Sequence, residues 1–278
     1  MEHHQPLVAL VTDFGWEDPF VAEIKLQIWQ VNPYIHILDI THHLPPGDIV
    51  RGAYIIGRVV ERLPQRSVLL GVVDPGVGSS RQGVVIAFRE RYLVGPDNGL
   101  FSYSIPWSEK FSVRILSQKD VRNTISPTFH GRDLFAPIAA RLAVGEDVES
   151  FGEEGELQNT FPPPPPVRVG KIIYGKVLYI DRFGNLATNL PASFSGTVKV
   201  KGAMIIHQVR CYADLAPGKV GWLIGSDGKI ELAANRERAD RILGINIGEE
   251  LIFEIDQEES TLGDGLPLSS DNINLKYQ

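Results

Sequence analysis

Five consecutive prolines at positions 162–166 constrain this chain more than any other feature. Proline fixes φ and lacks a backbone N–H, so such a run is stiff and extended and joins neither a helix nor a central strand. It reads as a linker between a domain at 1–161 and a second at 167–278. A length of 278 residues fits that division, because single hydrophobic cores stop growing at roughly 250 residues.

Ahead of the prolines, short apolar runs alternate with helical patterns. Residues 7–11 form an apolar strand, the turn-like Thr12-Asp13-Phe14-Gly15 follows, and 19–30 carry helical spacing. A strand at 35–40, a loop at 41–46 and a helix at 49–62 repeat the theme before the continuous apolar run 67–73. Segments 84–88 and 91–94 read as paired strands, and 128–145 as a turn that continues into a helix. The expectation is a layered α/β domain with a largely parallel sheet. Behind the prolines, segments 167–179, 198–207, 220–224, 230–232 and 250–255 are short and β-like, with glycine-bearing turns between them, which predicts a smaller β-barrel or sandwich.

Composition removes several functional classes. The formal charge is −7 with no basic run, so nucleic-acid binding through counterion release has no source. No apolar stretch reaches the roughly 18 residues needed to cross a bilayer, and the first residues lack a leader pattern. With Cys211 as the single cysteine, no intrachain disulfide forms, and the expected location is the cytoplasm. Cys211 is expected to be an unreactive thiol in a strand. The adjacent His42 and His43 have no third ligand nearby in sequence, so no metal site is expected.

Loops at the carboxyl ends of strands are where open α/β sheets bind ligands, and Asp13 and Asp74 both stand there. Two readings fit Asp13: a cap for the next helix, or an acceptor for the hydroxyls of a vicinal diol. Asp74-Pro75-Gly76-Val77-Gly78 is turn chemistry by composition. It is not a dinucleotide fingerprint, since Arg81 stands where the third glycine belongs. His130, beside Gly131 at a helix start, is the chain's best candidate for proton transfer near neutral pH, with a purely structural histidine as the alternative. Asp181-Arg182-Phe183-Gly184-Asn185 offers an aromatic face with carboxylate and amide groups, or else a hairpin corner that satisfies its own backbone.

Taken together, Thr12-Asp-Phe-Gly15, Asp74-Pro-Gly-Val-Gly78 with Arg81, Gly95-Pro-Asp-Asn-Gly99, Thr128-Phe-His-Gly-Arg-Asp133, Asp181-Arg-Phe-Gly-Asn185 and Asn235 resemble the S-adenosylmethionine hydroxide adenosyltransferases, relatives of the fluorinase and chlorinase. The resemblance implies that water or hydroxide attacks C5′ of S-adenosylmethionine (SAM), the substrate, giving adenosine and methionine without a separate cofactor or metal. It implies catalytic roles for Asp74, Arg81 and His130. Asp13 would hold the ribose, Asp181 and Asn185 the methionine or nucleoside part, and Phe129, Phe183 and Asn235 would line the site. It also implies a homotrimer with each substrate between the first domain of one subunit and the second of its neighbour. Gly131 stands where the halogenases carry a halide-binding serine, and the connection between Arg89 and Tyr92 is short where fluorinase-type enzymes have a long loop. Both features favour water over halide. The alternatives are a halide adenosyltransferase and a non-catalytic adenosine- or SAM-binding protein.

In that scheme the sulfur leaves as a neutral thioether and needs no general acid. His130 and Asp74 are expected to take the proton, Asp74 by orienting the imidazole or directly, with Arg81 stabilising hydroxide.

Overall fold

A computed structural model describes residues 5–193, 196–202 and 204–255. The chain separates into two compact units, Met1–Pro162 and Pro163–Gln278.

The first unit is built on a seven-stranded sheet of β1 (Leu7–Thr12), β2 (His36–Thr41), β3 (Val68–Val72), β4 (Gly83–Phe88), β5 (Arg91–Pro96), β6 (Ser112–Leu116) and β7 (Glu153–Glu154). The spatial order is β2-β1-β3-β5-β4-β6-β7. The four strands β2, β1, β3 and β5 run parallel, while β4, β6 and β7 add antiparallel pairings. Helices α1 (Phe20–Val31), α2 (Ile49–Val59) and α3 (Ala136–Ala143) cover the sheet.

Alternation along the strands explains why both faces are covered. Val8 and Leu10 of β1 point into a core shared with Ile24 and Ile28 of α1 and with α3. Ala9 and Val11 point the other way, into a core with Ile56 of α2, Leu100 and Phe101. Side chains with a period of two therefore feed two cores, and the strands read as continuous apolar runs. The antiparallel β4–β5 hairpin closes through Arg89 and Glu90, whose φ values of 45° and 55° mark the tight primed turn that such two-residue connections use.

The chain leaves β1 toward β2 on one side and then returns to β3 on the other. That reversal makes the carboxyl ends of β1 and β3 a topological switch point, the place at which open α/β sheets take up ligands. Asp13 follows β1 directly and Asp74 lies two residues beyond β3.

The second unit is antiparallel. It contains β8 (Val167–Val169), β9 (Ile172–Ile180), β10 (Leu186–Pro191), β11 (Gly196–Val200), β12 (Met204–Ile206), β13 (Val220–Ile224), β14 (Lys229–Ala234) and β15 (Glu250–Ile255) in the order β12-β11-β15-β9-β10-β14-β13, with β8 on β9. Past β12, backbone bonds join Trp222 N to His207 O and Val209 N to Trp222 O, so the two ends of the sheet nearly close into a barrel. Trp222, Phe253, Leu232 and Leu251 fill the interior. A short helix, α4 (Ala239–Leu243), packs on this core through Ala239 and Leu243.

Several sequence expectations are corrected in detail. Segment 167–179 is two strands that turn at Gly170, where φ is +58°. Segment 198–207 is likewise split by the turn at Lys201 and Gly202, and the helix expected through residue 62 tightens into a 3₁₀ turn after Val59. Cys211 is exposed and precedes the 3₁₀ turn Tyr212–Asp214, so it is not a buried strand thiol.

Candidate active site

Arg81 is the hub of the site at the β3 end. Its Nε donates to Asp74 Oδ1 at 2.8 Å and its Nη2 to Asp74 Oδ2, a two-pronged pairing that fixes the plane of the guanidinium. The same Nη2 reaches His130 Nδ1 at 2.9 Å, and Nη1 donates to the Gln82 carbonyl at 3.2 Å. Both partners of the ion pair are nearly buried, with side-chain exposures of 9% for Arg81 and 5% for Asp74. The guanidinium carbon sits 5.3 Å from the Phe135 ring centroid, which shields its other face.

This arrangement corrects one expectation. Among the described residues no hydrogen bond joins His130 to Asp74; Arg81 lies between them and orients the imidazole itself. Burial first, and then the Arg81 charge, push the His130 pKa below its ordinary value, against the raising pull of Asp74 and Asp133. The imidazole is therefore neutral near pH 7.

Local sequence explains why these three groups meet. Gly78 has φ +77°, and a Cβ there would fall 2.5 Å from the Pro127 carbonyl oxygen. The glycine lets the loop after β3 lie directly against the segment leading to His130. Beyond His130, residues Gly131–Phe135 form a π-type turn in which the Ala136 N–H bonds to the Gly131 carbonyl. Pro137 follows, and a proline at this position has no N–H to give an i−4 carbonyl, which accounts for the widened turn. Asn98 braces the opposite side by donating to the Val73 carbonyl at 2.8 Å, the peptide just before Asp74. Asn98 lies inside the Gly95–Gly99 segment, and its role comes from the approach of that loop to the end of β3, which no sequence signal marks.

Asp13 does not cap α1, whose N-cap residue is Pro19 and which has no side-chain cap. Its Oδ2 instead accepts the Gly47 N–H at 2.7 Å. Burial raises its pKa, with Asp74 adding to the rise, so the two carboxylates feel one another across the switch point. Phe14, Phe20 and Phe129 make an edge-to-face aromatic cluster with centroids 5.6–5.8 Å apart. Phe129 is next to His130 in sequence, and Arg132 stacks on its ring at 4.9 Å while pairing with Glu23 and Asp133.

In the second unit Asp181 forms the hairpin corner. Its Oδ1 accepts the N–H groups of Phe183 and Asn185, and its Oδ2 accepts the Asn185 amide. Phe183, at the tip of that corner, is 75% exposed. Asn235 donates to the Leu215 carbonyl at 2.6 Å, outside the corner.

Comparison with known proteins fits this geometry. Residues 8–152 match the family model described as the SAM hydroxide adenosyltransferase N-terminal domain, and residues 175–252 match that of the C-terminal domain. The chain belongs to the SAM hydroxide adenosyltransferase family. A relative in Thermus thermophilus named (R)-S-adenosyl-L-methionine hydrolase is 37% identical over 250 residues, covering 87% of this chain and 96% of that protein. One of the same name in Salinispora tropica is 34% identical over 255 residues, covering 88% and 97%. A fluorinase of an Actinoplanes species is more distant, at 25% identity, covering 66% and 72%. The structure resembles that of an uncharacterized conserved protein from Thermotoga maritima with a TM-score of 0.80 and 29% identity, covering 88% and 99% of the two chains.

In this adenosyltransferase, Gly131 is buried against β3. A Cβ there would stand 3.2 Å from Val72 Cγ1 and 3.5 Å from both Ile24 Cδ1 and Phe129 Cε2. The glycine thus has a packing reason of its own, separate from any choice of nucleophile. His42, set aside from sequence as a loop residue, is fully buried and hydrogen-bonded at both ring nitrogens. Among the described residues no helix is long and apolar enough to cross a membrane, and no group of three or more His, Cys, Asp or Glu side chains is placed to hold a metal ion.

Proposed function

We propose that this enzyme hydrolyses SAM by attack of water at C5′, with Asp74, Arg81 and His130 managing the water and Asp13 binding the ribose hydroxyls. The observation that carries the reading is the Arg81 bridge between a nearly buried carboxylate and a neutral imidazole, beside Asp13 at the switch point.

A guanidinium has only donors, so His130 Nδ1 accepts from Arg81 and the neutral ring carries its hydrogen on Nε2. In that tautomer His130 donates to the nucleophilic oxygen rather than taking its proton. The oxygen's remaining lone pair then forms the bond to C5′ as the C5′–S bond breaks and its electron pair goes to sulfur. The proton passes to the Asp74 carboxylate, whose oxygens each keep a lone pair beyond the one that Arg81 uses. Arg81 and the Nε2 hydrogen stabilise hydroxide character on the nucleophile. Attack of an oxygen of anionic character on a sulfonium disperses charge, so the Phe14, Phe20 and Phe129 wall assists by excluding water.

Phe129, Phe183, Asp181, Asn185 and Asn235 belong to substrate binding in this reading, within a cytoplasmic homotrimer. The names of the relatives specify the R configuration at sulfur, and we extend that preference to this enzyme. The deciding experiment supplies each sulfonium epimer of SAM in ¹⁸O-labelled water with chloride present. Methionine and adenosine labelled at the 5′ oxygen, formed faster from the R epimer, are expected. A 5′-chloro product, or no product from either epimer, rules the reading out.

A further inference from the structure

His42 is the one fully buried histidine among the described residues, and the chemistry above makes no use of it. Its surroundings form a continuous chain of bonds. Nδ1 lies 2.7 Å from Thr12 Oγ1, and Nε2 lies 3.0 Å from Asp39 Oδ1. Asp39 Oδ2 in turn accepts from Lys25 Nζ at 2.6 Å, and Lys25 stacks 5.4 Å from the Trp16 ring centroid. Trp16 meets the His42 ring edge-on at 4.6 Å.

The direction of each bond follows from what the groups can do. The Asp39 carboxylate, held by Lys25, is an acceptor, so Nε2 carries the hydrogen. Burial pushes the His42 pKa below its ordinary value, and in the neutral ring Nδ1 accepts, which commits the Thr12 hydroxyl hydrogen to it. The Thr12 oxygen keeps its lone pairs for the Phe14 N–H at 3.3 Å. The His42 carbonyl takes the next amide, Gly15 N–H, at 2.8 Å. Both amides immediately after Asp13 are therefore fixed by Thr12 and His42. A few residues on, Gly47 N–H holds the Asp13 carboxylate itself.

The strand that delivers His42 is shaped for this task. Pairing of β1 with β2 slips by one residue between Leu10–Asp39 and Val11–Thr41, so Ile40 is an extra residue. Such irregularities re-aim the side chains that follow them. Here the slip sits just before His42, whose ring lies inside while Asp39 stays at the surface to meet Lys25.

We infer that His42 is a positioning residue: through Thr12 and its own carbonyl it sets the Asp13 turn so that the carboxylate meets the two hydroxyls of a substrate's ribose. This rests on the reading that Asp13 binds the ribose. The effect belongs to diol recognition, so it is separable from a general loss of structure.

The test uses the full-length protein and two probes, adenosine and 2′,3′-dideoxyadenosine, with dissociation constants measured by calorimetry. Wild-type enzyme should prefer adenosine, and Asp13→Ala should abolish the preference. Thr12→Val, which keeps shape but removes the hydroxyl, should shrink the preference by roughly tenfold, the scale of one hydrogen bond to a charged group. His42→Phe should do the same, and His42→Gln, which can still accept and donate, should restore part of it. In SAM turnover the same variants should raise KM while leaving kcat nearly unchanged. If the wild type shows no preference, the ribose reading falls and this inference with it. If the preference exists, depends on Asp13, and survives both Thr12→Val and His42→Phe, the positioning role alone is refuted. Equal weakening of both nucleosides also refutes it, because that marks a merely structural residue. Should His42→Phe fail to fold, the isosteric Thr12→Val decides.

Discussion

Arg81 Nη2 stands 2.9 Å from His130 Nδ1, which makes the imidazole an acceptor on that side and leaves its single hydrogen on Nε2. The bond survives only while His130 is neutral. A proton added at Nδ1 would face the Arg81 cation with nothing to accept.

The first prediction concerns pH. Burial, then the Arg81 charge, hold the His130 pKa below 6.5. The active neutral form therefore predominates at pH 7, and its loss is centred below 6.5. A profile of kcat/KM, which reports groups of the free enzyme, should fall on an acid limb whose midpoint lies below that value. An acid limb above it contradicts the assigned tautomer. His130→Ala removes a hydrogen-bond donor to the nucleophile and should slow turnover by about 10²–10³-fold, or roughly 3–4 kcal/mol.

A second prediction separates charge from shape at Arg81. Lysine keeps the cation but not the fork, so it cannot serve both Asp74 oxygens and His130 together. Arg81→Lys is expected to lower kcat by about 10²–10³-fold, the scale of a lost oxyanion-type donor, with KM changed much less. Wild-type kcat in the lysine variant, from steady-state kinetics, means that a point charge suffices.

Much of this was legible from sequence, for reasons specific to each part. Buried parallel strands such as 67–73 show as unbroken apolar runs because both faces meet a core, and the proline run lies at the division between the two units. The positions of Asp13 and Asp74 at strand ends follow from that alternation. Pair geometry was not legible. Sequence suggested an Asp74–His130 couple, yet Arg81 stands between them, because the turn permitted by Gly78 decides which side chain reaches the imidazole. His42 was hidden for another reason. Its partners Thr12 and Asp39 come from two different strands, and only the slip in their pairing turns the ring inward. The Asp181 corner illustrates the converse, since its local backbone bonds follow from turn composition alone.

A third prediction sets binding against stability at Asp13. Its pKa is raised, first by burial and also by Asp74. A carboxyl whose folded pKa exceeds its unfolded one favours folding when protonated, and that contribution is lost as pH rises through the folded value. At pH 7 the ionised group is thus a net cost to the unliganded fold. Asparagine keeps an acceptor for the Gly47 N–H without the charge. Asp13→Asn should therefore raise the melting temperature of the free enzyme at pH 7, by about 2–4 °C for each kcal/mol recovered, and weaken binding of adenosine. By pH 3 the stability difference should shrink. A lower melting temperature at pH 7 in calorimetry indicates that the charge is stabilising and that the burial argument fails.

A fourth prediction addresses Gly131. An added Cβ approaches Val72 Cγ1 to 3.2 Å, closer than ordinary contact, and meets Ile24 Cδ1 and Phe129 Cε2 at 3.5 Å. Overpacking of this kind costs about 1–3 kcal/mol, so Gly131→Ala should melt several degrees below wild type. Gly131→Ser adds an oxygen at the same tight position and should lose at least as much. One hydroxyl alone is also a meagre site for a halide, which sheds its hydration only for several compensating donors. With SAM and excess chloride, the serine variant is expected to keep adenosine as its main product, read by chromatography against a 5′-chloro standard. Should 5′-chloro-5′-deoxyadenosine become the main product, this single position selects the nucleophile, and its packing role is secondary.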